Sequence, residues 1–137
     1  MSDLRKEITA AFPLAPVPEA PIVQGRDDDG LAEWLLGRTW RNVEATSLRR
    51  RPKALMRLAS PAFRYYLPAW LIASIEDPEE PDIIPALVVG AIANRAGDTR
   101  LMTPAQRKVV ARYVAIHADD ADLRSGHLLA ALGNLSQ

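Results

Sequence analysis

Arg49, Arg50, Arg51 and Lys53 crowd four cations into five residues. They are the densest part of a stretch, Arg38 to Arg64, that holds eight basic residues against one acid, Glu44. The chemistry such a run offers is electrostatic: it can neutralise nucleic-acid phosphates or steer an acidic protein onto the surface. The reverse charge follows, where Glu76, Asp77, Glu79, Glu80 and Asp82 set five carboxylates within seven residues. Two opposite runs so close in sequence serve either as a partner-binding face or as turns that neutralise each other. The partner-binding candidates are therefore Arg49, Arg50, Arg51, Lys53, Glu76, Asp77, Glu79 and Glu80. An acidic protein partner is the first expectation and mutual neutralisation the second. Nucleic acid is third, because 17 basic and 17 acidic residues cancel and no reading-helix motif accompanies the run.

Residues suited to bond-making chemistry are few. The absence of cysteine excludes disulfides, zinc-thiolate centres and thiol nucleophiles. His117 and His127 are the only histidines, with Asp119, Asp120 and Asp122 between them. Ten residues across a helix–turn–helix is not a metal-ligand spacing. His117 falls on the apolar face of Val110, Tyr113 and Val114, which suits a core histidine better. Ser74 and Ser125 have neither a neighbouring base nor a nucleophile elbow, and no glycine-rich phosphate loop is present. The paired carboxylates lie in a loop where nothing raises a pKa. No catalytic residue, metal or cofactor is expected, and the chain reads as non-enzymatic.

The elements that position these residues are helical. Ser60-Pro61 is a helix-start signature, an N-cap residue followed by proline at the first helical position. Phe63, Tyr66, Leu67, Trp70 and Leu71 then recur at i, i+3, i+4, i+7 and i+8. Tyr65, Ala69 and Ile72 make the opposite side apolar too, and a helix apolar nearly all round belongs in the middle of a protein. Its aromatics could form a ligand platform, but at helical spacing burial is the more frequent use. Pro68 cannot donate to the carbonyl of Arg64, so a kink is expected there. Arg64 itself, a guanidinium on an apolar helix, needs a partner, with Glu33 and Asp82 as the candidate acids.

Around this central helix the sequence predicts several shorter ones. Ser2 caps a helix running to Phe12. PLAPVPEAP then places four prolines in nine residues, an extended strap over about 13–23 that Val17, Ile22 and Val23 can pin. DDDGLAEWLLG supplies a cap, N-terminal acids and Gly37 as a stop, with Leu31, Trp34 and Leu35 on one face. A linker follows through Trp40 and Val43, then a short helix after Pro52 bearing Leu55 and Leu58. EDPEEPD reads as a loop. A buried helix runs from Pro81 or Pro85 to about Asn94, closed by Ala96-Gly97-Asp98. Thr103-Pro104-Ala105-Gln106 is a capping-box start. Val109, Val110, Tyr113, Val114 and Ile116 give that helix its core face. Asp119-Asp120 begins a final helix with Leu123, Leu128, Ala131 and Leu132.

Gly37-Arg38-Thr39-Trp40, the block Ala62-Phe63-Arg64-Tyr65-Tyr66-Leu67-Pro68-Ala69-Trp70-Leu71, and the Thr103–Gln106 start resemble a bacterial domain-of-unknown-function family. Its members are small helical proteins carrying a Phe-Arg-Tyr-Tyr-Leu-Pro-Ala-aromatic-Leu block. The resemblance spans roughly Gly30 to Ile116 and leaves out the proline-rich N-terminus. It implies a small, mostly helical fold and no activity.

The whole reads as one all-α domain over 1–137, a compact bundle of five to seven helices around a kinked, largely buried central helix. A chain of 137 residues buries enough surface for a core without staples. No basic-then-apolar leader opens the sequence, and the longest apolar runs are about half the roughly 20 residues a membrane helix needs, so the expected setting is cytoplasmic with no membrane partner. Fourteen arginines against three lysines point to a GC-rich bacterial source. The expected function is a protein-interaction domain, of which a bacterial immunity or antitoxin protein is one concrete form. The alternatives are a nucleic-acid-associated module acting through Arg49–Lys53 and a small-molecule binder between the central helix and its neighbours.

Overall fold

The computed structural model describes residues 2–19, 22–24, 30–51, 54–75 and 84–116. The described residues are all-α, with eight α-helices and one 3₁₀ turn. These are α1 (Ser2–Ala11), α2 (Leu31–Leu35), the 3₁₀ turn Trp40–Asn42, α3 (Ala45–Arg50), α4 (Ala54–Arg57), α5 (Ser60–Ile75), α6 (Ile84–Asn94), α7 (Ala96–Arg100) and α8 (Pro104–Ile116). Eight exceeds the five to seven expected, because two stretches read as connections are helical. The cationic run begins inside α3, and Ala96-Gly97-Asp98 is the start of α7 rather than a closing turn. The acidic loop Glu76–Asp82 and the helix expected after Asp119 lie outside the described residues.

α5 is the centre, and its sequence says why. Phe63, Tyr66, Leu67, Trp70 and Leu71 are all fully buried, as their spacing predicts, and Ala62, Ala69 and Ala73 are buried on its other sides. The helix assignment continues through Pro68. Its first bond runs from Phe63 N to Ala59 O, so Ser60 lies within the first turn rather than at the cap. Pro61 still sits where an amide has no intrahelical acceptor to lose.

The other helices cover α5. α1 buries Leu4 and Ile8, Phe12 just after its end continues the same stripe, and the helix packs on both α5 and α8. Arg112 of α8 donates to Glu7 of α1 at their surface. α8 opens with the reciprocal capping box: Thr103 N donates to Gln106 Oε1 and Gln106 N donates to Thr103 Oγ1, each at 3.1 Å. Val109, Val110, Tyr113 and Val114 are buried, whereas Ile116, expected in the core, is 41% exposed. All the buried apolar side chains form one core cluster.

Two devices fasten the irregular segments. The proline-rich stretch is held by aromatic donors, since Trp40 Nε1 donates to Pro13 O at 3.1 Å and Tyr65 OH to Leu14 O at 2.7 Å. Farther on, Ile22 and Val23 are buried, and an isolated antiparallel bridge joins Val23 to Leu58. At α2 the N-cap is Gly30, in the left-handed region at φ 74°, with no side-chain cap. The aspartates expected to cap it lie outside the described residues. Gly37 stops the segment at φ 79°, a conformation that favours glycine.

Candidate binding face and cleft

The described cations of the run from Arg38 to Arg64 meet different neighbours. Arg50 is exposed near the end of α3, and the backbone of Arg49 lies in the same helix. Arg51 is half-buried, its guanidinium 5.4 Å from the Trp34 ring centre. Arg38 is exposed and its Nε donates to Trp34 O at 2.7 Å. Lys53, Glu76, Asp77, Glu79 and Glu80 lie outside the described residues. Arg64 turns the other way, and its partner is neither Glu33 nor Asp82 but Asp98. Arg64 Nη1 lies 3.2 Å from Asp98 Oδ1, and Arg95 Nε lies 2.9 Å from Asp98 Oδ2. Asp98 is buried, so one carboxylate serves two guanidiniums. Burial of an anion requires such pairing. Its sequence signal was the i, i+3 pair Arg95–Asp98, which the reading of that stretch as a turn concealed.

At the 3₁₀ turn lies a cleft of about 580 Å³, within the range of small-ligand pockets. α1 contributes Arg5 and Thr9, the 3₁₀ turn contributes Trp40 and Arg41, and α5 supplies Ala69 and Ala73. The local reason is side-chain size. Ala69 and Ala73 are one turn apart, and two small residues on one face leave the space that a leucine pair would fill. Trp40 is buried, and the guanidinium of Arg41 lies 5.9 Å from its ring centre. Glu44 also lines the cleft, so its described lining carries both signs of charge, with Arg41 at the exposed 3₁₀ turn. The site therefore offers an apolar floor with a cationic edge. Arg41 and Trp40 escaped the sequence reading because they fall in a stretch read as a linker.

The aromatic block is packed rather than displayed. Tyr66 OH lies 2.7 Å from Leu35 O and 2.8 Å from Arg38 O, both acceptors, which ties α5 to the end of α2. Burial pushes the Tyr66 phenol up to about 12, with the neighbouring Tyr65 adding to the rise and Arg38 opposing it. Tyr65, partly buried, is also raised by desolvation, against a backbone hydrogen bond from Trp40. The two rings meet edge to face, centres 4.8 Å apart. Ser74, weighed above as a nucleophile, is buried in a hydrogen-bond chain. Its Oγ donates to Trp70 O at 3.0 Å and accepts from Tyr113 OH at 2.8 Å. His117, His127 and Ser125 lie outside the described residues.

No helix among the described residues is long and apolar enough to cross a membrane. No family model, no curated protein and no solved structure matches the chain.

Proposed function

We propose that the protein is a non-enzymatic, cytoplasmic interaction domain that captures an acidic segment of another protein at the face formed by the 3₁₀ turn, α3 and the α1–α5 cleft. One observation carries the reading. Arg41 and Arg50 are exposed, neither forms an ion pair among the described residues, and Arg41 edges a cleft with an apolar floor. A cationic edge steers an acidic partner, and a pocket holding Trp40 suits the single buried anchor that dominates most interfaces. An immunity or antitoxin protein works this way, by occlusion without chemistry.

The test is charge reversal. Wild-type protein and an Arg41→Glu/Arg50→Glu variant are used to purify partners from the native cell, and each is titrated with nucleic acid by fluorescence anisotropy. The expected result is one stoichiometric acidic protein that the wild type retains and the variant loses, with association slowed by salt and the melting temperature unchanged. Nucleic-acid binding with a steep salt slope would replace this reading with the phosphate-binding one. Equal capture by both proteins would remove the face from consideration.

A further inference from the structure

Arg95 is buried in a way the core does not explain. Its side chain is 11% exposed, and only Nε has an acceptor, Asp98 Oδ2 at 2.9 Å. Both terminal nitrogens, Nη1 and Nη2, are buried without a hydrogen-bond partner. The guanidinium lies 4.2 Å from the centre of the Phe63 ring. An aromatic ring supplies no oxygen acceptor, so this contact leaves the two terminal nitrogens without a conventional hydrogen bond. A native protein rarely buries ionic donors this way unless something else completes them.

The surroundings indicate what that is. Among the described residues, Arg64 and Arg95 share the single carboxylate of Asp98, which leaves one positive charge in excess. Arg95 and Asp98 line a cleft of about 480 Å³ with Gln24, Ser60 and Asn94, which add neutral hydrogen-bonding groups. Met56 and Leu101, both exposed apolar side chains, stand on the same cleft. We propose that this cleft, between α4, the start of α5 and the α6–α7 junction, is a carboxylate-binding site, and that the Nη1/Nη2 edge of Arg95, closed off from solvent in this structure, becomes its anchor when the ligand displaces the side chains over it. A monoanion balances the excess charge, and two carboxylate oxygens match the two-nitrogen edge of a guanidinium. The apolar rim suits a carboxylate carried on a short aliphatic stem. The site is separate from the cationic face around Arg41 and stands independently of the function proposed there.

The experiment follows the Nε–Hε resonance of Arg95 in ¹⁵N-labelled full-length protein. The probes are sodium acetate, sodium phosphate, a capped peptide with one glutamate, and sodium chloride at matched ionic strength. A saturable shift with acetate or with the glutamate peptide, but not with chloride, supports the site. A shift with acetate shows it open to free small carboxylates, and a shift with the peptide alone shows that the carboxylate arrives on a protein. Arg95→Lys keeps the charge without the two-nitrogen edge, and Arg95→Gln removes both. Each should bind the effective probe about tenfold more weakly or worse, followed by amide shifts of Gly97 and Asp98. If neither variant folds, the wild-type titration decides by itself. No saturable shift, a response equal to that of chloride, a response to phosphate alone, or undiminished binding by folded variants overturns the proposal.

Discussion

Tyr66 shows how much one polar tip can hold in an apolar core. Its hydroxyl meets two carbonyls, Leu35 O and Arg38 O, across the junction of α2 and α5. Tyr66→Phe keeps the ring and removes the hydroxyl from both carbonyls, of which Leu35 O keeps its bond from Arg38 N, so a loss of about 1 kcal/mol is expected in urea denaturation. The same burial sets an alkaline limit. The folded phenol titrates near 12 against 10.0 for the ordinary value, so the unfolded state loses its proton first. The stabilisation is complete below pH 10 and is lost as pH rises from about 10 through 12. The expected loss is of order 2–3 kcal/mol, and it should be absent in Tyr66→Phe when denaturation midpoints are compared across that window. Asp98 is the second such residue. Asp98→Ala leaves two guanidiniums without their acid and should cost about 3–5 kcal/mol. Arg64→Ala should cost clearly less, because Arg64 is 27% exposed and Asp98 retains Arg95.

At the scale of elements, helix ends are fixed by short-range chemistry and helix centres by burial. The box at the start of α8 satisfies two amides with two side chains. Gln106 also reaches past its own helix, its Nε2 donating to Ala11 O at 3.1 Å, which joins the start of α8 to the end of α1. Thr103→Ala should therefore cost about 1 kcal/mol through the lost cap. Gln106→Ala should cost more than Thr103→Ala, because it removes the cap's return bond and the tie to α1 together. Thermal melts of the two variants check that order. α2, only five residues long, starts at a glycine, which has no side chain of its own to cap with. Its position rests on buried Leu31 and Leu35 and on the Tyr66 bond.

At the scale of the molecule, α5 is the element around which the rest is arranged, and Trp70 is its largest fully buried side chain. Trp70→Ala should cost about 3–5 kcal/mol, the usual range for deleting a buried large aromatic. Trp70 Nε1 has no acceptor, so the residue contributes by filling space and not by bonding. Trp70→Phe should accordingly cost less than Trp70→Ala by a wide margin, since no hydrogen bond is lost and part of the volume is kept. Equal losses for the two variants, measured by guanidinium denaturation, would show that the indole does more than pack. The same assembly creates the cleft, because small residues on α5 meet the 3₁₀ turn there and leave it unfilled.

What the sequence determined by itself is what depends on neighbours within a turn or two. The i, i+3, i+4 recurrence from Phe63 to Leu71 marked the buried helix, Thr103–Gln106 marked the start of α8, and Gly37 marked a stop. Each rests on contacts between residues three or four apart, or on the φ of a single residue. The tertiary structure decided the rest. Arg64 found Asp98, 34 residues away, because packing brought α7 against α5. Trp40, read as a linker residue, became a buried wall of a cleft, because the 3₁₀ turn docks on α5. α3 and α7 are too short for periodicity to mark them, and such helices form in water only when packing supports them. Charge behaved likewise. The run from Arg38 to Arg64 is continuous in sequence, yet among its described cations Arg38 turns to Trp34 O, Arg51 to the Trp34 ring and Arg64 to Asp98, and Arg50 stays exposed.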